Sequence, residues 1–176
     1  MIKKIIILGS TGSVGKSTLN IIRNNKKKFK IILLSTNKNV NELVKQAKEF
    51  KVKNIIIFNK KKYDENKLRL LKQNKIKVYN NLKSFYQKKK IKKDFIISAI
   101  SGLNGLEPTL TSIKYTKRIA IANKESLICA WNLIQKKLKF HKTEFFSIYG
   151  QVHVPAIMGS KLWWNWLFDL FRFLFE

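Results

Sequence analysis

The chain has 176 residues, 45% of them apolar, and a formal charge of +27 from 37 basic against 10 acidic residues. The apolar share suffices for one buried core and argues against disorder, and a single cysteine, Cys129, excludes an internal disulfide. The charge does not define a nucleic-acid protein: only Arg23, Arg69, Arg118 and Arg172 are arginine, and the lysines are spread over 24–93 rather than set on one aromatic-studded face. In chain order, an apolar strand at 3–8 empties into Gly9-Ser10-Thr11-Gly12-Ser13-Val14-Gly15, and a helix follows at 14–24. Further strands are predicted at 29–35, 54–58, 77–79, 95–99 and 118–122, with helices at 40–50, 63–73, 82–89 and 106–115 between them. A last short strand lies at 143–145, and the lysine runs 60–62 and 88–93 read as solvated loops. Short, continuously apolar strands alternating with helices indicate an α/β chain, a Rossmann-like doubly wound and mostly parallel sheet with helices on both faces. Right-handed crossovers then bring every strand's C-terminal end to one edge.

The turn after the first strand is built for a phosphate. Glycine permits backbone angles forbidden to side chains and lets amides approach an anion closely, and the dipole of the next helix faces it. Two ligands compete. A nucleoside-triphosphate loop needs G-x-x-x-x-G-K-[ST]; Gly15-Lys16-Ser17 supplies its second half, but Ser10 stands where the first glycine belongs. The later strands also end in Ser-Ala-Ile-Ser and Asn-Lys-Glu, without the aspartate that holds magnesium. The dinucleotide reading finds G-x-x-G-x-x-G at the first strand-to-helix turn, where such folds place it, and is preferred.

The second strand bears on which dinucleotide. A cofactor without the extra phosphate meets an Asp or Glu at the end of that strand, but here the chain reads Ser35-Thr36-Asn37-Lys38-Asn39. A lysine among neutral hydrogen-bonding neighbours favours a 2′-phosphate, hence NADP(H), against the plainer reading of Lys38 as one more surface lysine. At the later edge, 97–109 leaves a strand through small residues and two glycines and enters a helix around Pro108. The next strand ends Ala122-Asn123-Lys124-Glu125-Ser126-Leu127. Three adjacent polar groups there suit a nicotinamide ribose or a phosphorylated substrate; a helix start accounts for Glu125 but not for the Asn-Lys pair.

In order and spacing, the Gly9 to Gly15 turn, Asn37-Lys38-Asn39-Val40, 102–109 and the 122–127 segment resemble the 1-deoxy-D-xylulose 5-phosphate reductoisomerase family, over 1–145. The resemblance implies rearrangement of 1-deoxy-D-xylulose 5-phosphate and its reduction by NADPH to 2-C-methyl-D-erythritol 4-phosphate, a step of non-mevalonate isoprenoid biosynthesis. It also implies a divalent Mg or Mn ion chelating the substrate oxygens, and a homodimer. Carried over by matching residues, Thr11, Gly12, Ser13 and Val14 line the NADPH pyrophosphate, and Lys38 and Asn39 lie near the adenosine phosphate. Asn123 and Glu125 contact NADPH and Lys124 meets the substrate. Asn37 replaces a glycine common in the family.

The expected organisation is an NADPH-binding domain at 1–145 and a divergent aromatic-rich tail at 146–176. After 143–145 the family continues into an Asp-Ser-Glu-His segment that supplies metal-binding carboxylates, whereas this chain continues Phe146-Ser147-Ile148-Tyr149. No metal ligand and no bond-breaking residue is therefore assigned, His141 and His153 having no partners at ligand spacing. This chain alone is expected to be inactive, the alternative being a stand-alone NADPH-binding module or remnant. The tail segment 162–175 holds three of the four tryptophans, with Asn165, Asp169 and Arg172 on one stripe if helical. At 14 residues it is too short to span a bilayer. It is read as interfacial, as docked on a protein surface, or as a misassembled end without a role. No targeting leader precedes the first strand, so the expected compartment is cytoplasmic.

Overall fold

The computed structural model describes residues 2–87, 92–148 and 173–175. The elements are β1 (Lys3–Leu8), α1 (Ser13–Arg23), β2 (Phe29–Thr36), α2 (Val40–Glu49), β3 (Asn54–Ile57), α3 (Lys60–Asn74), β4 (Lys77–Tyr79) and α4 (Leu82–Gln87). Then follow β5 (Lys93–Ser98), a 3-10 turn (Leu103–Gly105), α5 (Leu106–Ile113), β6 (Thr116–Ile121), α6 (Lys124–His141) and β7 (Glu144–Ser147). The seven strands form one parallel sheet in the order β4-β3-β2-β1-β5-β6-β7. The expected α/β Rossmann-like architecture is the one observed.

The alternation of β1 shows how the two layers arise. Ile5 and Ile7 face Leu19 and Ile22 of α1 and Leu43 and Ala47 of α2, while Ile6 and Leu8 face the layer that holds Phe85, Ile113 and Ile134 from α4, α5 and α6. Successive side chains of a strand point to opposite faces, so a strand covered on both sides must be apolar at every position. From β1 the chain winds outward through β2, β3 and β4. It then crosses back to β5 on the other side of β1, which makes the β1–β5 boundary the switch point where such sheets bind ligands.

Four local expectations change. Lys60, Lys61 and Lys62 are the first turn of α3, because Asn59 caps that helix by accepting the Lys62 amide at 3.0 Å. Lys93 opens β5 and is buried, its amide donating to Tyr115 O at 2.8 Å. The helix following Glu125 runs 18 residues to His141, with a break at Ala130 (φ −138°, ψ 25°) that divides its apolar pattern. β7 pairs with β6 through Ser147, and Ile148 is buried, so the ordered sheet continues past 145.

Of the tail, 149–172 lie outside the described residues, including the stripe at Asn165, Asp169 and Arg172 and also His153. Residues 173–175 are helical and join the α1 face of the sheet. The Phe173 ring meets Phe95 of β5 at 5.0 Å and Phe146 of β7 at 4.9 Å, and Phe175 meets Phe29 at 5.4 Å. Both Phe173 and Leu174 are fully buried, and Lys3 Nζ donates to Leu174 O at 3.3 Å. Among the described residues no helix is long and apolar enough to cross a membrane.

Removing the Phe173 ring leaves a cavity against two aromatic neighbours, so Phe173→Ala is expected to lower the unfolding free energy by about 3–5 kcal/mol, measured by urea denaturation. A second expectation concerns pH. Burial works to raise the Asp94 pKa, but the Lys4 amide donating at 2.8 Å and the Lys117 ammonium at 3.0 Å outweigh it and hold the carboxyl below its usual range. A depressed folded-state pKa stabilises above the unfolded value, near 3.9, and that contribution is lost as pH falls through the folded value. Asp94→Asn should therefore cost about 1 kcal/mol at pH 7 and progressively less in acid, read from denaturation curves across pH.

Candidate functional site

The glycine turn begins where β1 ends. Gly9 turns with φ +77°, and a Cβ there would lie 2.4 Å from Ala99 O, at the end of β5. A Cβ on Gly15 would lie 2.4 Å from Gly9 O, so this glycine lets α1 fold back onto the turn. Gly12 differs: it is exposed, its φ is −79°, and a Cβ would meet nothing nearer than Gly9 O at 3.4 Å, the edge of ordinary contact. Packing explains two of the three glycines. The third leaves open backbone at the head of α1, where the first amides of a helix have no partner inside it.

Neighbouring side chains hold this turn from below. The Gly9 amide donates to Ser35 Oγ at 3.0 Å, and the hydroxyls of Thr11 and Thr36 share a hydrogen bond of 2.8 Å. Buried Gln46 of α2 accepts from Ser10 Oγ at 2.8 Å and donates through Nε2 to Ser10 O at 3.1 Å. From the sequence Ser35 and Thr36 are only neutral neighbours of Lys38 and Gln46 carries no motif, although a glutamine between apolar Leu43 and Ala47 of α2 is the kind of buried polar group that needs an internal partner. Lys16 lines the groove between α1 and α2 with Glu42, Lys45 and Glu49.

On the β2 side, Lys38 and Asn39 follow the strand end and are exposed. Asn39 is the N-cap of α2, its Oδ1 accepting the Glu42 amide at 3.3 Å. On the other side of the switch point Asn123 is buried, and its amide is divided between the loop after β5 and the start of α6. Nδ2 donates to Ile100 O at 2.6 Å and Gly102 O at 2.7 Å, and Oδ1 accepts the Ser126 amide at 2.9 Å as the N-cap of α6. The Asn-Lys pair thus has a structural component: Asn123 ties β6 to the β5 loop, and Gly105 has no room for a Cβ, which would fall 2.3 Å from Asn123 Nδ2. Lys124 is exposed and Glu125 half-buried in the first turn of α6, where a carboxylate complements the helix dipole.

The sheet therefore collects Thr11, Gly12, Ser13, Val14, Lys38, Asn39, Asn123, Lys124 and Glu125 along one edge, because parallel strands deliver all their outgoing loops to the same side. Among the described residues no three His, Cys, Asp or Glu side chains come together.

Residues 5–131 match the family model for 1-deoxy-D-xylulose 5-phosphate reductoisomerase. The chain belongs to this family. It is 52% identical over 150 residues to the reductoisomerase of Pelagibacter ubique, a match covering 83% of this chain and 38% of that protein. The Buchnera aphidicola reductoisomerase is 44% identical over 149 residues, with 83% and 37% covered. Among solved structures, the Zymomonas mobilis reductoisomerase in complex with NADPH superposes with a TM-score of 0.75 at 30% identity, covering 84% of this chain and 39% of that one. A reductoisomerase in complex with NADPH, fosmidomycin and magnesium gives 0.76 at 30% identity, with 84% and 36% covered. The chain thus spans under two fifths of the length of these reductoisomerases.

The glycine geometry separates the positions that packing requires from the one that it does not. Gly9→Ala is expected to destabilise by about 2–4 kcal/mol through the positive φ and the collision with Ala99 O, whereas Gly12→Ala should change stability by less than about 0.5 kcal/mol. Thermal denaturation of the two variants checks the contrast.

Proposed function

We propose that this chain is the NADPH-binding portion of a 1-deoxy-D-xylulose 5-phosphate reductoisomerase, and that these residues by themselves bind the cofactor without turning over substrate. The observation that carries the proposal is Gly12: exposed backbone at the head of α1, unexplained by packing, at the switch point of a sheet whose relatives include a structure in complex with NADPH.

The residues fit the cofactor chemically. The uncapped head of α1, Ser13 and Val14 included, offers amides and a positive dipole end to the pyrophosphate, while Thr11 fixes the turn to β2. Lys38 and Asn39 stand where the adenosine ribose of a dinucleotide lies, with no carboxylate at the end of β2 to repel a 2′-phosphate. On the nicotinamide side, Asn123 holds the β5 loop in place, Glu125 faces the cofactor from the first turn of α6, and Lys124 offers its ammonium to a phosphorylated substrate. When bound, NADPH supplies a hydride to a carbonyl carbon. The residues described bind and orient, and no metal ligand is assigned among them. The magnesium of the relatives would require carboxylates outside them, so no catalytic step is assigned to 1–145.

A homodimer and a cytoplasmic setting complete the reading, with the sheet domain extended from 145 to Ile148. An exposed lone Cys129 suits a reducing compartment.

The test is a titration of the purified chain with NADPH followed by nucleotide fluorescence. Saturable binding is expected, weakened at least tenfold by Gly12→Ala, because a methyl group there holds the pyrophosphate off the helix head. Steady-state assay with 1-deoxy-D-xylulose 5-phosphate, NADPH and Mg or Mn should show no NADPH consumption; turnover would overturn the assignment of chemistry to residues outside the described part.

A further inference from the structure

The register of β2 and β3 brings α3 to the cofactor edge. Thr36 pairs with Ile57, the Phe58 amide donates to Thr36 O at 3.0 Å, and the Asn59 amide donates to Asn37 O at 3.3 Å. The turn carrying Lys38 therefore runs alongside the start of α3. Between them lies a cavity of about 380 Å³ whose charged lining is Lys38, Lys62, Glu65 and Arg69. Positions 62, 65, 66 and 69 are spaced i, i+3, i+4 and i+7, a single face of α3.

Two of these cations differ in how they are held. Asn66 is 9% exposed; its Nδ2 donates to Lys62 O at 2.8 Å and its Oδ1 accepts from Arg69 Nη2 at 2.6 Å, so a largely buried amide fixes the guanidinium in advance. Lys62 Nζ donates to Glu65 Oε2 at 2.9 Å, a pair with 47% and 41% of its side chains exposed and hence of small worth. Three cations against one carboxylate leave a positive cavity beside the ribose end of the proposed dinucleotide site. A phosphate dianion is a stronger partner for Lys62 than a solvated glutamate, and arginine matches phosphate bidentately.

We propose that Lys62 and Arg69 of α3, together with Lys38, bind the 2′-phosphate of the cofactor and set its preference for NADPH over NADH. This rests on the dinucleotide reading of the glycine turn and adds to it a specificity determinant on a different element. Glu65 has a part too: in the absence of the 2′-phosphate it holds Lys62, so a nucleotide lacking that group gains nothing from α3.

The experiment is titration of the purified chain and its variants with NADPH and, separately, NADH. Lys62→Ala and Arg69→Ala are each expected to weaken NADPH binding about five- to tenfold, and the double variant about 30- to 100-fold, with NADH affinity unchanged within about twofold. Arg69→Lys should restore part of the loss, and Lys48→Ala, which removes the same charge from α2 away from the cavity, should leave the NADPH-to-NADH ratio as in the parent. Equal weakening of both nucleotides, or no change in the ratio, overturns the role of α3 while leaving the dinucleotide site standing. A parent chain that binds neither nucleotide overturns both.

Discussion

At Gly9 the chain turns with φ +77° while a β-carbon would lie 2.4 Å from the carbonyl of Ala99, and the rest of the site depends on this close approach of the β1 and β5 exits. The two strands are neighbours although seven elements separate them in the chain, since it builds β2, β3 and β4 outward before crossing back. Their adjacent exits form the crevice. Gly15 then allows α1 to fold down onto the turn, which aims the open end of the helix into that crevice. A larger residue at either position would separate strand from strand, or helix from turn, before it affected any ligand.

Around that constraint the polar side chains have divided duties. Ser35, Thr36 and Gln46 hydrogen-bond to the glycine turn, and Asn123 ties the loop after β5 to the start of α6. These groups are buried or nearly so, where leaving a donor or acceptor unmatched costs about 1–3 kcal/mol, and their pairing fixes the positions of the exposed residues beside them. Gly12, Ser13, Lys38 and Lys124 remain at the surface of the edge. Buried amides and hydroxyls hold the loops still, and exposed backbone and cations face outward, a division suited to an anionic ligand held without reorganisation of the protein.

Residues 173–175 add to the core on the α1 face of the sheet from beyond its last strand. Phe173 enters between Phe95 and Phe146, and Leu174 accepts from Lys3, so an aromatic segment with no sequence signal for any particular partner turns out to supply core to the α1 face. The segment was readable as apolar and as too short to span a bilayer. Which surface its last residues cover could not be read, because a hydrophobic stretch carries no address: any apolar face of suitable shape satisfies it.

The sequence by itself determined the strand and helix alternation, the glycine turn and its helix, the absence of a carboxylate after β2 and the family to which these motifs belong. Each is a local pattern, set by backbone geometry or by side-chain period within a few residues. It misread Lys60, Lys61 and Lys62 as loop, since a charge run gives no sign of the Asn59 cap that starts a helix there, and it anticipated only the first turn of α6, whose break at Ala130 divides the apolar repeat. Only the tertiary structure decided that Asn123 is a clamp, that Gly12 is the glycine packing does not require, and that α3 stands beside Lys38. Those facts are distances between residues remote in the chain, and they arise from the register of parallel strands and from the single crossover that places β5 against β1.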